Sequence, residues 1–414
     1  MHVTSTSRPG HAPTVFASFL HFDLSFMLWV LIGALGVYIS KDLNLQPAQK
    51  GLLVAIPILG GSIMRFPMGF LVNRFGAKRM GAAMFMFYLL PLFLGWRFGH
   101  NMSNMVGVGF LLGISGASFA VSLPLASRWY PPEKQGLVMG IAAAGNSGTV
   151  IANLLAPPLA NIYGWHNVLA LAMLPTMAGL LIFLLCAKEN PNLPKPAREK
   201  STEILAAADL WWFCLFYSIT FGGFVGLSSF LPIFFRDQFH VSPTNAGYLT
   251  ALAAVVGSSI RPLGGYLADK VGGGVRVLMY LLPGIGILYM LIAFSFPLPA
   301  TLGLILATMG CLGLGNGAIF QVVPQRFSER ISVATGIIGA FGGLGGFFLP
   351  TLLGGMKQLT ASFTSGFLSI AALSVAATFH LFVLMRSRSG WKVSFLLPQS
   401  MESTEVSRRA AAIS

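Results

Sequence analysis

The sequence predicts an all-α membrane protein with twelve transmembrane helices. Hydrophobic residues make up 55% of its 414 residues and charged residues only 9%, whereas a soluble domain carries about 25% charged residues. The apolar residues form long runs, and a helix of about 20 residues crosses a bilayer. Only helices and closed barrels satisfy their backbone hydrogen bonds in lipid, and these runs are too long for short alternating strands.

Polar breaks divide the apolar sequence into twelve candidate spans. They lie near residues 16–39, 50–72, 80–98, 103–128, 136–160, 166–187, 208–235, 245–269, 277–296, 299–325, 333–355 and 362–386. The longest polar connection is rich in proline and charge, as is typical of a linker. The predicted organisation is an N-terminal tail (1–15), a six-helix bundle (16–187), a linker (188–207), a second six-helix bundle (208–386) and a C-terminal tail (387–414).

The basic residues predict the orientation. With the N-terminus inside, 19 of the 26 lysines and arginines fall in inner segments and five in outer segments, as the positive-inside rule requires. We therefore expect the protein in the cytoplasmic membrane, with both tails and the linker on the cytoplasmic side. Membrane orientation thus explains the net charge of +14, and we expect no nucleic acid as a partner.

No motif indicates an enzyme, a metal site or a cofactor. The cysteines Cys186, Cys214 and Cys311 are far apart and lie in apolar runs, so they have no metal-ligand spacing. Nucleotide-binding loops and zinc-protease motifs are missing from the sequence. We therefore expect neither catalysis nor a bound cofactor.

The two six-helix groups repeat each other at an offset of 196 residues. "LNLQPAQKGLL" (43–53) aligns with "FHVSPTNAGYL" (239–249), and "GFLVNRFG" (69–76) aligns with "GYLADKVG" (265–272). Because each group has an even number of spans, the repeats are parallel and related by an axis along the membrane normal. This pattern predicts one central site between two halves that move against each other.

Two arginines inside spans point to an anion site. Arg65 and Arg261 occupy equivalent positions in the repeats, and a charge within a membrane helix usually faces a cavity or a partner. Asp23 is the one acidic residue well inside a span, so the pair forms a site with net positive charge, which attracts an anion. Guanidinium groups match planar oxyanions with two parallel hydrogen bonds.

Glycine-rich segments occur at corresponding places in spans five and eleven. They read "GIAAAGNSG" (140–148) and "GIIGAFGGLGG" (336–346), a spacing that lets helices pack backbone to backbone. We expect them to bring these helices close to the arginine-bearing helices. Asn146 lies inside the first segment, and its amide can donate to an anion.

The loop after span two resembles that of the major facilitator superfamily. "GFLVNRFGAKR" and its second copy "GYLADKVGGGVR" carry the likeness, which implies gating loops containing Gly69, Arg74, Gly265 and Asp269. The first copy has Asn73 where an aspartate is common in that superfamily.

The paired arginines, the glycine-rich helices and Asn146 together resemble the nitrate/nitrite porter family. Tyr217 and Phe221 in "YSITFGGFVGLSSFLP", and Phe119 in "GISGASFAVS", match aromatic positions that line the site in that family. The resemblance implies a substrate site composed of Arg65, Arg261, Asn146, Tyr217, Phe119, Phe221, Gly145, Gly342, Gly343 and Asn316.

What the resemblance implies is a monomeric transporter of nitrate and nitrite that works by alternating access. Either proton symport or nitrate/nitrite exchange would drive it, and the first helix looks more like assimilatory importers. Asp23 is the candidate proton carrier. The alternatives are a formate- or oxalate-type carboxylate porter of the same fold, or a membrane receptor, for which the tail at 385–414 is too short to form an output domain.

Overall fold

A computed structural model of the protein describes residues 10–190, 203–327 and 331–387, nearly all of them helical. The first six spans are α1 (Ala12–Asp42), α2 (Pro47–Phe75), α3 (Ala77–Phe98), α4 (Met102–Ser127), α5 (Pro132–Ala143, Ala144–Ser147 and Gly148–Tyr163 in succession) and α6 (Trp165–Cys186). The second six are α7 (Ala208–Phe239), α8 (Pro243–Ser259 and Arg261–Val271), α9 (Gly274–Ala293), α10 (Leu298–Arg326), α11 (Ile331–Thr360) and α12 (Thr364–Ser387).

One span differs from its predicted form. In the described part of the chain, eleven helices are long and apolar enough to cross a membrane, and α8 is not among them. Helix α8 is interrupted at Ile260, directly before Arg261. Pro262 contributes to the interruption, because its nitrogen carries no N–H that could bond one turn back. The predicted span 245–269 is thus two consecutive helical segments.

The ends of the first six-helix group also differ in detail from the prediction. Helix α1 begins at Ala12, before the predicted start at 16, because His11 Nδ1 accepts the backbone N–H of Thr14 at 3.1 Å. Pro13 suits the first helical turn, where no N–H is needed. Most of the predicted linker and of both predicted tails lies outside the described residues.

The two six-helix groups pack through glycines. Helix α2 lies against α11, where a Cβ on Gly51 would come within 2.3 Å of the carbonyl oxygen of Pro350. Helix α5 lies against α8, where a Cβ on Gly247 would come within 2.6 Å of the Asn153 carbonyl oxygen. Small residues let helix backbones approach closely. The expected approach of helices five and eleven to the arginine-bearing helices is therefore present.

An ion pair joins the two groups at one end of the molecule. At this end, which we call the Lys50 end, Lys50 Nζ lies 2.7 Å from Asp237 Oδ2 on the other group. At the opposite Arg74 end, a Cβ on Gly69, Gly140 or Gly336 would meet nothing within 4 Å. The charge count predicts that the Lys50 end faces outside.

Large apolar side chains cover much of the exterior. Ile162 and Leu185 are each 69% exposed and Tyr280 is 72% exposed. Apolar side chains facing outward on this scale match a lipid solvent better than water. The interior accordingly holds the polar groups, including Arg65.

Candidate functional site

Arg65 lies in the middle of α2 and is almost fully buried, with 5% of its surface exposed. Its Nε donates to the Gly116 carbonyl oxygen at 2.9 Å, and its Nη1 donates to the Gly339 carbonyl oxygen. The guanidinium carbon lies 5.0 Å from the Trp29 ring centroid and 4.9 Å from that of Phe221. Carbonyl dipoles and aromatic faces thus stabilise this cation in place of a carboxylate.

Arg261 begins the second segment of α8 and is held less firmly. It is half-buried, and its Nη2 donates to Tyr217 Oη at 3.4 Å, a long hydrogen bond. Its guanidinium carbon lies 5.7 Å from the centroid of the Phe320 ring. The two cations therefore differ: Arg65 is fixed by two backbone carbonyl groups, whereas most donors of Arg261 have no partner in the described part of the chain and can bind a ligand.

One cavity joins the two arginines at the centre of the molecule. Its volume is about 10 Å³, which is roughly the space for one water molecule. Both six-helix groups contribute to its walls. Its lining consists of Phe22, Phe26, Arg65, Phe119, Asn146, Tyr217, Phe221, Arg261, Phe320 and Gly339.

Aromatic rings form most of the cavity wall. Tyr217 and Phe221 stand one turn apart on α7 and stack with centroids 4.9 Å apart and planes 7° apart. Phe320 meets Tyr217 edge-on at 5.0 Å and lies 6.2 Å from Phe119 on the other group. Such walls exclude water and strengthen any charge interaction inside.

The cavity has no negative charge of its own. Among the described residues, no carboxylate lies within ion-pair distance of Arg65 or Arg261. Asp23 is buried in α1 but outside the cavity lining, and it accepts a hydrogen bond from Ser147 Oγ at 2.5 Å. The predicted excess of positive charge is therefore present in the geometry.

Asn146 reaches the cavity from a distortion of α5. The short 3-10 turn Ala144–Ser147 interrupts this helix, and its glycine- and serine-containing sequence favours such a turn because serine bonds to nearby backbone. Asn146 is 3% exposed, and its Oδ1 has no hydrogen-bond partner within the described structure. The residue lines the cavity, where its amide nitrogen can donate to an anion.

Six of the ten predicted site residues line this cavity: Arg65, Arg261, Asn146, Tyr217, Phe119 and Phe221. The other four do not. A Cβ on Gly145 would lie 2.7 Å from Asp23 N, one on Gly342 would lie 2.3 Å from Tyr217 Cδ1, and one on Gly343 would lie 2.0 Å from Ser62 Oγ. These glycines therefore permit packing behind the cavity wall. Asn316 is buried in α10, away from the lining.

Four lining residues were missed in the sequence: Phe22, Phe26, Phe320 and Gly339. Phe320 lies one helical turn after Asn316, which the family resemblance implies as a site residue, so its position carried a weak signal. The other two phenylalanines lie in α1, and their residue type does not distinguish them from the rest of the 34 phenylalanines.

The predicted gating residues lie at the Arg74 end. Arg74 is exposed at the end of α2, with its guanidinium carbon 5.3 Å from the Phe75 ring centroid. Asp269 Oδ1 accepts a hydrogen bond from Gln321 Nε2 at 3.0 Å. A Cβ on Gly265 would meet only the Gly317 carbonyl oxygen, at 3.8 Å. Their contacts stay within their own six-helix group.

Known proteins resemble this chain in sequence and in fold. The chain is 36% identical over 358 residues to the nitrite extrusion protein of Bacillus subtilis (strain 168), covering 85% of this chain and 89% of that protein. It is 34% identical over 361 residues to the probable nitrate transporter NarT of Staphylococcus haemolyticus (strain JCSC1435), covering 86% and 93%.

A crystal structure has the same architecture. It is that of a bacterial homolog to the human lysosomal transporter Spinster, inward-facing and occupied, with a TM-score of 0.70 at 19% identity over 91% of this chain and 97% of that one. The family model of the Major Facilitator Superfamily matches residues 17–350. The predicted twelve-helix fold is therefore confirmed, and the chain belongs to the Major Facilitator Superfamily.

Proposed function

We propose that this membrane transporter carries nitrate and nitrite. The observation that supports the proposal most is the pair of arginines, one from each six-helix group, which face one cavity and have no carboxylate partner among the described residues. Two cations in a nearly closed apolar cavity leave a charge that an anion would compensate. The names of the relatives, a nitrite extrusion protein and a probable nitrate transporter, agree with such a substrate.

The size and shape of the cavity favour a small flat anion. The space of about 10 Å³ between the guanidinium groups must expand to hold even nitrate, so a larger dicarboxylate such as oxalate fits less well. Guanidinium groups bind planar oxyanions through parallel N–H donors. The stacked rings of Tyr217 and Phe221 offer a flat wall against which a planar anion can lie.

The transport cycle that we propose follows from the unequal ends of the molecule. The groups 16–187 and 208–386 would act as two bodies that rock about the central cavity, closing the Lys50 end when the Arg74 end is open. The protein would act as a monomer in the cytoplasmic membrane, with both termini inside. No enzymatic role is part of this proposal.

An energy source is needed because an anion entering a negative-inside cell opposes the membrane potential by about 2.3 kcal/mol per charge per 100 mV. Proton symport would supply that energy. Asp23 would carry the proton, since this carboxylate is buried next to the Asn146 turn. Exchange of nitrite for nitrate would need no proton carrier.

The test replaces the guanidinium forks and keeps their charge. Arg65→Lys and Arg261→Lys, in purified protein reconstituted into liposomes, should each reduce nitrate uptake by about 10-fold or more, because a point charge cannot bind two oxygens in parallel. Arg97→Lys provides the control, since Arg97 packs on Trp96 outside the cavity. Undiminished uptake by both cavity variants, or uptake of oxalate in preference to nitrate, would contradict the proposal.

A further inference from the structure

A second cavity lies at the Lys50 end, separate from the central one. Its volume is about 730 Å³, and none of its lining residues lines the central cavity. Both six-helix groups contribute to it, through α1, α2, α5, α7 and α8. The cavity is large enough to admit hydrated anions, so we call it the vestibule.

The vestibule concentrates positive charge where the sequence otherwise has little. Its charged lining residues are Lys41, Lys50, Arg236 and Asp237, which gives three cations and one anion. Of the five cations predicted outside, only Arg97 and Lys357 are not in this lining. The positive-inside rule disfavours outer cations, so their collection around one cavity calls for a functional reason.

Two of these cations remain available to a ligand. Lys41 is exposed and has no polar side-chain partner among the described residues. Arg236 is exposed, and only its Nη1 is engaged, by the His240 and Val241 carbonyl oxygens at 3.4 and 3.2 Å. Ser40 also lines the vestibule, is 6% exposed, and its Oγ has no partner in the described structure.

The third cation holds the two groups together. Lys50 on α2 pairs with Asp237 on α7, and both side chains are about one-fifth exposed, so solvent ions reach the pair. A small anion in the vestibule would compete with Asp237 for the Lys50 ammonium. Such competition would loosen the contact that closes this end.

We propose that the vestibule is a second, weak anion site that collects small inorganic monoanions at the entrance and, by competing for Lys50, releases the Lys50–Asp237 ion pair. This inference rests on the proposed function, because it supplies substrate to the central site. Clefts of one charge raise the local concentration of an oppositely charged substrate. The effect is screened by salt beyond about 8 Å at physiological ionic strength.

The experiment measures initial nitrate uptake by full-length protein in phosphatidylcholine liposomes at low and high ionic strength. Lys41→Gln combined with Arg236→Gln should raise KM about fourfold at low ionic strength with Vmax unchanged, because the vestibule loses two of its three positive charges. At high ionic strength the difference should disappear. The matched control combines Arg97→Gln with Lys357→Gln, which removes two outer cations away from the vestibule.

Further variants keep the test valid if the double variant folds poorly, and they also test whether the Lys50–Asp237 ion pair closes this end. Lys41→Glu should raise KM more than Lys41→Gln, and Asp237→Asn should open the Lys50 end to a membrane-impermeant thiol reagent at an introduced cysteine. An equal KM change in the control pair, or none in the vestibule pair, would overturn the inference while wild-type uptake still upheld the central site. Wild-type protein that takes up no nitrate would instead overturn the proposed function.

Discussion

Gly51→Ala should open the Lys50 end. The new Cβ would lie 2.3 Å from the Pro350 carbonyl oxygen, whereas ordinary contact begins at 3.4 Å, so α2 and α11 must separate by about 1 Å. Overpacking of this kind costs about 1–3 kcal/mol. Only conformations closed at this end bear that cost, so the ratio of closed to open protein should fall about 5- to 150-fold.

Spin labels across the Lys50 end would measure this shift. Gln46 and Leu359 are both exposed and lie on opposite groups, so cysteines there, in a background lacking the native cysteines, give a distance distribution in lipid nanodiscs. Gly51→Ala should add a longer-distance component and slow nitrate uptake. Gly355→Ala is the matched control, because a Cβ there meets nothing within 4 Å while the gain in helix propensity is the same. Superimposable distributions in the two variants would refute the packing argument.

Three further substitutions test the central site. Tyr217→Phe removes the 3.4 Å hydrogen bond to Arg261 and leaves the ring stack intact, so KM for nitrate should rise up to about 10-fold; an unchanged KM would mean that the hydroxyl does not position Arg261. Gly342→Ala would bring a Cβ within 2.3 Å of the Tyr217 ring, so the free energy of unfolding should fall by about 1–3 kcal/mol in thermal unfolding. Gly336→Ala, where a Cβ meets nothing within 4 Å, should show no such loss. Asp23→Asn should abolish the pH dependence of uptake under proton symport, and persistent nitrate-linked proton movement would exclude this carboxylate as the carrier.

The fold could be predicted because lipid imposes a simple rule. Apolar runs of spanning length predict all twelve helices, and the repeat offset predicts that Arg65 and Arg261 are counterparts. The interruption of α8 beside Pro262 could not be predicted, because α2 contains Pro57 and Pro67 and continues without a break. The early start of α1 depends on one side chain of His11 that accepts a single backbone N–H, and hydropathy does not register that bond.

The site was harder to predict than the fold, for a different physical reason. Charge inside a membrane is costly, so each buried arginine carries information. Phenylalanine is common throughout a membrane protein, so Phe22 and Phe26 could not be distinguished from packing residues. Glycine is ambiguous as well, because a missing side chain can make room for a ligand or for a neighbouring helix. Gly145, Gly342 and Gly343 prove to be of the second kind.

Arg65 bonds to both six-helix groups, and in the proposed transport cycle this has a kinetic consequence. Its bond to Gly116 stays within one group, but its bond to Gly339 spans both groups. A carrier returning without cargo would have to break that spanning bond in a dry environment, at a cost of about 1.5–3 kcal/mol, and would be slowed roughly 10-fold or more. Bound anion can supply replacement acceptors that travel with the guanidinium. The molecule should therefore turn over faster when loaded in both directions, so that nitrate on the far side accelerates efflux from preloaded vesicles, and equal efflux with and without it would rule this brake out.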